Sequence, residues 1–296
     1  MGLRWGPDQS KLIGGASVAQ KMEQGQHVYR SFSMELAVVS ALTTIRSSLS
    51  PEIYLELLRI SYRLKHPRQY NVFQEKRRIV TTDTYSYKPF DDSRSIFVHI
   101  PKCAGVSVAR SLYGNLAGGH ATLEEYFRVF KPAEILSYFK FTIVRNPWDR
   151  LVSAYHFLRT GGFGSADKRW FEGELAGYSG FEEFVVGWLN KENIWKWPHF
   201  RPQCHYITDS AGKIKLDFNC LFENLEEDFQ IVAQKIGRNC SLPKINQSDR
   251  QEYKAYYSDR TRELVSTVYE KDIALLGYCF DNSSVESQLA RRSACL

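Results

Sequence analysis

The sequence predicts an α/β fold: a central parallel sheet flanked by helices in three layers, with an N-terminal helical extension. Three observations carry that prediction. Between residues 94 and 281 short continuous apolar runs alternate with stretches of helical periodicity, the pattern of strands buried on both faces and joined by crossover helices. Two of those runs, SIFVHI at 95–100 and KFTIV at 140–144, end in a short loop that opens directly into a helix start. Finally, 296 residues with 43% hydrophobic and 24% charged side chains suffice for a large core and exclude the disordered and fibrous classes.

Taken in order, residues 1–33 are polar and glycine-rich and read as a leader without the apolar stretch of a signal peptide. Met34 offers an alternative start. Residues 34–65 read as one or two helices, with Ser50-Pro51 as a break and a new helix start. The apolar run from Met34 to Ile45 is interrupted by Glu35 and is shorter than the roughly 20 residues a membrane span needs, so a core helix is expected. Lysines and arginines cluster from Arg59 to Arg78 among aromatic residues; a solvated helical face is the expectation, with no nucleic-acid partner. Residues 1–93 are accordingly assigned to an extension, 94–282 to the main domain, and 283–296 to a frayed tail.

Within the main domain, strand 95–100 is followed by a helix from Val106 to Tyr113 that stops at Gly114. Thr122 stands three residues ahead of Glu125, a capping box that places His120 in the loop before a helix. After strand 140–144, Asn146 is an N-cap and Pro147 the first helical residue, and Leu151, Val152, Tyr155 and Leu158 follow at core spacing. The stretches 179–182 and 224–227 repeat the cap pattern ahead of two more helices, the second stopped by Gly237. His205 to Leu221 reads as a hairpin or two strands turning at 209–212, and a last helix runs from Asp259 to Leu276 and ends at Gly277.

The loop 101–107, Pro-Lys-Cys-Ala-Gly-Val-Ser, joins a strand to a helix N-terminus, where free amides and the helix dipole stabilise an anion. Lys102 adds a charge. In a triphosphate-binding loop the lysine follows the second glycine and precedes a magnesium-holding hydroxyl; here it precedes the only glycine, and no magnesium carboxylate is evident. For this loop alone, a plain strand-loop-helix corner is an equal alternative. Arg145 at the end of the second strand, with Ser153 in the next helix, breaks the tie by offering a second anion site. Two such sites at the ends of neighbouring parallel strands, in the crevice where strand order reverses, suit a doubly phosphorylated nucleoside. The net charge of +6 agrees with an anionic ligand without deciding it. Six cysteines, at 103, 204, 220, 240, 279 and 295, form no CxxC pair, so neither a zinc site nor a disulfide framework is expected.

The stretches HIPKCAGVSV (99–108) and FTIVRNPWDRLVSAYHFL (141–158) resemble the two cofactor motifs of the sulfotransferase superfamily. The resemblance is to the carbohydrate branch that includes heparan sulfate 2-O-sulfotransferase and the chondroitin 4-O-sulfotransferases. GHATLEEY (119–126), SYFKF (137–141), the run 201–229 and YEKDIALLGYCF (269–280) are similar to bacterial members of that branch. The resemblance spans residues 94–281 and implies a P-loop-like fold and transfer of a sulfuryl group from 3′-phosphoadenosine 5′-phosphosulfate to a carbohydrate or glycoconjugate hydroxyl, without a metal.

Carried over residue by residue, it implies that Lys102, Cys103, Ala104, Gly105, Val106 and Ser107 hold the 5′-phosphosulfate, with Lys102 neutralising the leaving oxygen. Arg145 and Ser153 would hold the 3′-phosphate. Cys103 stands where many relatives have threonine and is not read as a nucleophile. His120 is the general base, since an imidazole of unperturbed pKa near ~6.5 suits removal of a hydroxyl proton; His99, within the strand, is the weaker rival and is expected to be buried and hydrogen-bonded. Trp195, Trp197, His199, Arg201 and Gln203 are acceptor-cleft candidates, with core packing as an equal reading of the aromatics. Two rival functions are a P-loop-type kinase and a non-catalytic nucleotide-binding module. A soluble, bacterial, cytoplasmic enzyme is expected, with membrane association as the alternative.

Overall fold

The computed structural model describes residues 49–243 and 251–293. The leader 1–33, the apolar run 34–45 and Cys295 lie outside them. The chain divides into two units, residues 1–50 and 51–296; the elements below belong to the second.

Three parallel strands form the sheet: β1 (Ser95–Val98), β2 (Phe139–Val144) and β3 (Phe218–Leu221). β2 is central, pairing Val98 with Thr142 on one side and Val144 with Leu221 on the other. All four residues of β1 are buried, as are five of the six in β2, so both faces are covered and each strand reads as a continuous apolar run. Helices flank the sheet in a three-layer α/β arrangement. The order β1-β2-β3 follows the sequence, so among the described strands there is no reversal, and the expected crevice at a switch point is corrected to the adjoining C-terminal ends of β1 and β2.

Two helices, α1 (Pro51–Lys65) and α2 (Pro67–Lys76), open with proline at the first positions, where its missing N–H is not needed. A short α3 (Lys88–Ser93) leads into β1. The basic run is in part structural: Arg59 pairs with Glu56, while Arg77 bonds Asp91 at 2.7 Å and Glu134 at 3.0 Å and lies over the Phe130 ring. The helix after β1, α4 (Gly105–Tyr113), stops at Gly114 in the left-handed region. In α5 (Leu123–Val129) both halves of the Thr122–Glu125 capping box are made. After α6 (Pro132–Ser137) and β2, α7 (Pro147–Arg159) begins at Asn146, whose side chain accepts the Trp148 amide, and buries Leu151, Val152, Tyr155 and Leu158 against Phe184 and Phe200.

The later chain departs from expectation in four places. The predicted hairpin is instead α10 (Gln203–Ile207), a turn at 209–212 closed by one antiparallel bridge, and β3; its helical start is imposed by Asp272, whose carboxylate accepts the amides of Gln203 and Cys204 at 2.7 and 2.8 Å. Of the two repeated caps, Gly180 rather than Ser179 caps α9 (Phe181–Gly187), and Asn224 at the start of α11 (Leu225–Lys235) donates to Asp228 rather than capping. The predicted final helix is two, α12 (Asp259–Val268) and α13 (Glu270–Leu276), separated at Tyr269, whose hydroxyl donates to the Phe200 carbonyl. Residues 285–293 of the expected frayed tail form α14, held by Gln288 donating to the Gly277 carbonyl at 2.8 Å. Between α7 and α9 lies α8 (Ser165–Glu174). Among the described residues no helix is long and apolar enough to cross a membrane.

Candidate active site

The loop after β1 is bent by two residues in the left-handed region, Lys102 (φ 70°) and Ala104 (φ 58°). Side chains with a Cβ tolerate that region at about 1 kcal/mol or more each, and backbone that enters it gathers successive amides into an anion-binding hollow. Ala104 is itself the N-cap of α4, so the hollow meets the positive end of a helix. Gly105 is dictated by packing: a Cβ there would fall 1.8 Å from the His99 ring. The Lys102 ammonium lies 3.6 Å from the centre of the Phe157 ring, a cation–π seat on α7. Cys103 is buried, its thiol directed at the Pro101 carbonyl and Gln203 Oε1; burial pushes it up to about 12, so it stays a protonated thiol near neutrality.

Arg145, at the end of β2, is almost wholly buried. Its guanidinium donates to Asp149 Oδ2 at 2.7 Å and to the Lys102 carbonyl at 2.9 Å, and it stacks 3.9 Å above the Phe222 ring. The Asp149 pair is an i,i+4 contact; the Lys102 contact ties the two candidate anion loops together. Gln203, fully buried, completes the tie by accepting the Arg145 amide and donating to its carbonyl. It braces the loops through its amide group. Ser153 is half-buried in α7 and among the described residues makes no bond to Arg145.

Three imidazoles meet beside the lysine loop. His99 and His120 lie edge to face with ring centres 4.6 Å apart, and His120 and His199 at 5.8 Å. His120 Nδ1 is 3.3 Å from the His99 carbonyl; a carbonyl only accepts, so Nδ1 carries the hydrogen and Nε2 keeps the basic lone pair. Burial lowers the His120 pKa, opposed by that bond and by Asp167. His99 is buried as expected, but its Nδ1 is unpartnered, and burial holds it well below the usual value. His199 packs against Phe157 at 5.0 Å; burial and the neighbouring His120 lower it to about 2. All three imidazoles are therefore neutral at pH 7.

His199, an acceptor candidate from sequence, thus joins His120 and Lys102 in one cluster. Trp195 does not: it is 46% exposed and packs on His205. Trp197 and Arg201 sit around the same 3-10 turn, Trp197 donating to Asp167 and Arg201 offering its carbonyl to Arg150. Sequence reasoning missed Asp149, Asp167, Arg150 and Phe157. Asp149 was within reach of an i,i+4 argument from Arg145; the carbonyls that Arg150 donates to lie 49 and 51 positions away, and Asp167 has one near partner, the Phe163 amide, with Trp197 30 positions off. Arg150 is buried and donates to the His199 carbonyl, fixing the turn that presents the imidazole. Among the described residues no group of histidine, cysteine and acidic side chains is placed to hold a metal.

This arrangement offers a cradle of amides with one lysine, a buried arginine at the next strand end, and a neutral, partly exposed imidazole beside the lysine loop. Residues 86–279 match the profile described as the sulfotransferase family. No curated protein and no solved structure matches the chain.

Proposed function

Since the chain belongs to the sulfotransferase family, we propose that it moves a sulfuryl group from 3′-phosphoadenosine 5′-phosphosulfate to a hydroxyl of a carbohydrate or glycoconjugate, with His120 as general base. The observation that carries this reading is the contact network joining the lysine loop, Arg145 and His120 through the Lys102 carbonyl and the three imidazoles. The residues suit a donor with two anionic ends. Amides at 103–107, in the hollow shaped by Lys102 and Ala104, would hold the phosphosulfate, and Arg145, with Ser153 in the following helix, would hold the 3′-phosphate. Asp149 already engages part of the Arg145 guanidinium, yet five N–H donors leave others for a ligand.

The donor supplies an activated sulfuryl group when bound; the rest falls to the chain's own residues. His120 Nε2 takes the proton of the acceptor hydroxyl as its oxygen bonds to sulfur, a task needing a neutral imidazole, which burial secures. Lys102 leaves the Phe157 face to neutralise the phosphate oxygen released when the sulfur–oxygen bond breaks. Cys103, a protonated thiol, contributes backbone rather than a nucleophile. The carbohydrate acceptor rests on the motif resemblance to the carbohydrate branch. Family membership does not favour the kinase alternative, and a non-catalytic binder is separated from an enzyme by assay.

In that assay His120→Ala should lose 10²- to 10⁴-fold in sulfuryl transfer, the range for a general base, while binding 3′-phosphoadenosine 5′-phosphate as the parent does. Undiminished transfer would remove His120 from the role. Titration with that nucleotide and with ATP plus magnesium should show preference for the former; the opposite order overturns the proposal.

A further inference from the structure

Behind the three imidazoles stands one buried carboxylate that the transfer reaction, as described so far, does not use. Asp167, on the first turn of α8, is 8% exposed. Its Oδ2 accepts the Phe163 amide at 2.8 Å and its Oδ1 accepts the Trp197 indole N–H at 3.0 Å. Both donors are themselves fixed. The Trp197 ring stacks on Trp170 at 5.0 Å, and the chain before Phe163 wraps the carboxylate so closely that a Cβ on Gly162 (φ 66°) would fall 2.2 Å from Asp167 Cβ. Such a setting immobilises an acceptor-only group.

Asp167 Oδ1 is also 3.9 Å from His199 Nδ1, an atom buried without a hydrogen-bond partner. A lone pair on Nδ1 would face the carboxylate lone pairs and repel them, so the hydrogen belongs on that nitrogen. The separation is longer than a hydrogen bond, and contacts of this kind commonly tighten when substrate binds. His199 in turn stands edge to face with His120. The charged and titratable groups around His120 are His99 and Lys102 from the end of β1, Arg150 from α7, His199 from the turn before α10, and Asp167 from α8. Lys102 and Arg150 disfavour a positive charge on His120, and the Asp167 carboxylate favours it.

We propose that Asp167 is a positioning residue for the transfer: it fixes His199 as the Nδ1–H tautomer and stands as counter-charge to the imidazolium formed when His120 Nε2 accepts the acceptor proton. The proton stays on His120 until it leaves to solvent, and Asp167 remains a carboxylate throughout. This inference rests on the reading of His120 as base.

The test compares the pH dependence of kcat/KM for sulfuryl transfer in the parent, Asp167→Asn and Asp167→Glu, with binding of 3′-phosphoadenosine 5′-phosphate and thermal melting as checks on the fold. Asp167→Asn should shift the acid limb down by about one pH unit, as loss of a nearby opposite charge does, and lower the plateau about tenfold with nucleotide affinity unchanged. Asp167→Glu, which keeps the charge, should restore the parent acid limb. A merely structural aspartate would alter melting and leave the limb in place; that result overturns the proposal. Loss of transfer in His120→Ala beside an unmoved limb in Asp167→Asn refutes only the Asp167 inference, whereas full transfer in His120→Ala refutes the base itself. Should Asp167→Asn fail to fold, the nitrogen-15 spectrum of histidine-labelled parent enzyme decides, with His199 assigned by His199→Gln: an Nδ1–H tautomer supports the proposal, and an Nε2–H tautomer overturns it.

Discussion

Gly105 and Lys102 show how single residues fix this site. The His99 ring occupies the space a Cβ at position 105 would need, at 1.8 Å, so Gly105→Ala must displace either the imidazole or the loop. We expect that variant to lose at least about 2 kcal/mol of stability, in the overpacking range, and most nucleotide binding, both read by thermal melting with and without 3′-phosphoadenosine 5′-phosphate; an unchanged ligand-induced rise in Tm would contradict the cradle. Lys102→Ala should weaken both nucleotide binding and turnover, whereas retained activity would refute the role of its ammonium. Lys102, Gly105, Arg145 and His120 could be named as candidates because each sits in a short motif whose chemistry is local. Asp167 could not, since an amide four residues back suits a solvated helix-start aspartate equally well, while Trp197 and His199 lie 30 and 32 positions away.

The same division between local and distant causes runs through the elements. The capping box at Thr122, the Asn146-Pro147 start and the stop at Gly114 are all written within four residues and all occur as read. The strand expected from His205 is a helix instead because its first turn, at Gln203 and Cys204, is nucleated by Asp272 from α13, 69 and 68 positions along the chain. Asp272 is fully buried, accepts two amides, and has Arg150 as its neighbouring cation. Burial raises its pKa, while the amides and Arg150 oppose that rise. Asp272→Ala strands two buried amides and removes the carboxylate neighbouring the buried Arg150 guanidinium, and should cost about 3 kcal/mol. Urea unfolding monitored by tryptophan fluorescence measures this, and a midpoint equal to the parent's would show that α10 stands without its cap. Because Gln203 braces Arg145, the same variant should also weaken nucleotide binding.

For the molecule as a whole, the buried imidazoles set an acid limit to folding. His99, His120 and His199 all have pKa values depressed below that of a free histidine, chiefly by burial. The unfolded chain then binds more protons than the folded one below about pH 6.5, so their contribution is full above that pH and shrinks steadily as pH falls. Glu223 and Asp272, raised by burial, work in the opposite direction, so the test must isolate one imidazole. His199 is lowered to about 2, and between pH 6.5 and 5 it alone should withdraw up to about 2 kcal/mol. The fall in Tm between pH 7.5 and 5 should accordingly be smaller in His199→Gln than in the parent; equal falls would show that this imidazole does not couple protonation to folding. At this scale the parallel α/β architecture was legible from alternation alone. The strand order was not, because pairing partners are chosen by the packing of the whole sheet.

Asn146 gives the molecule a chronology. Its side-chain nitrogen donates to the Cys279 carbonyl and to Asn282, 133 and 136 residues further along, while its oxygen caps the helix that follows Arg145. A chain made from its N-terminus holds the lysine loop, β2 and α7 long before these partners exist, and domains fold as synthesis proceeds. Assembly of the site therefore waits for residues 279–282, and a chain stalled before residue 279 carries every candidate residue of the site on an unlocked frame.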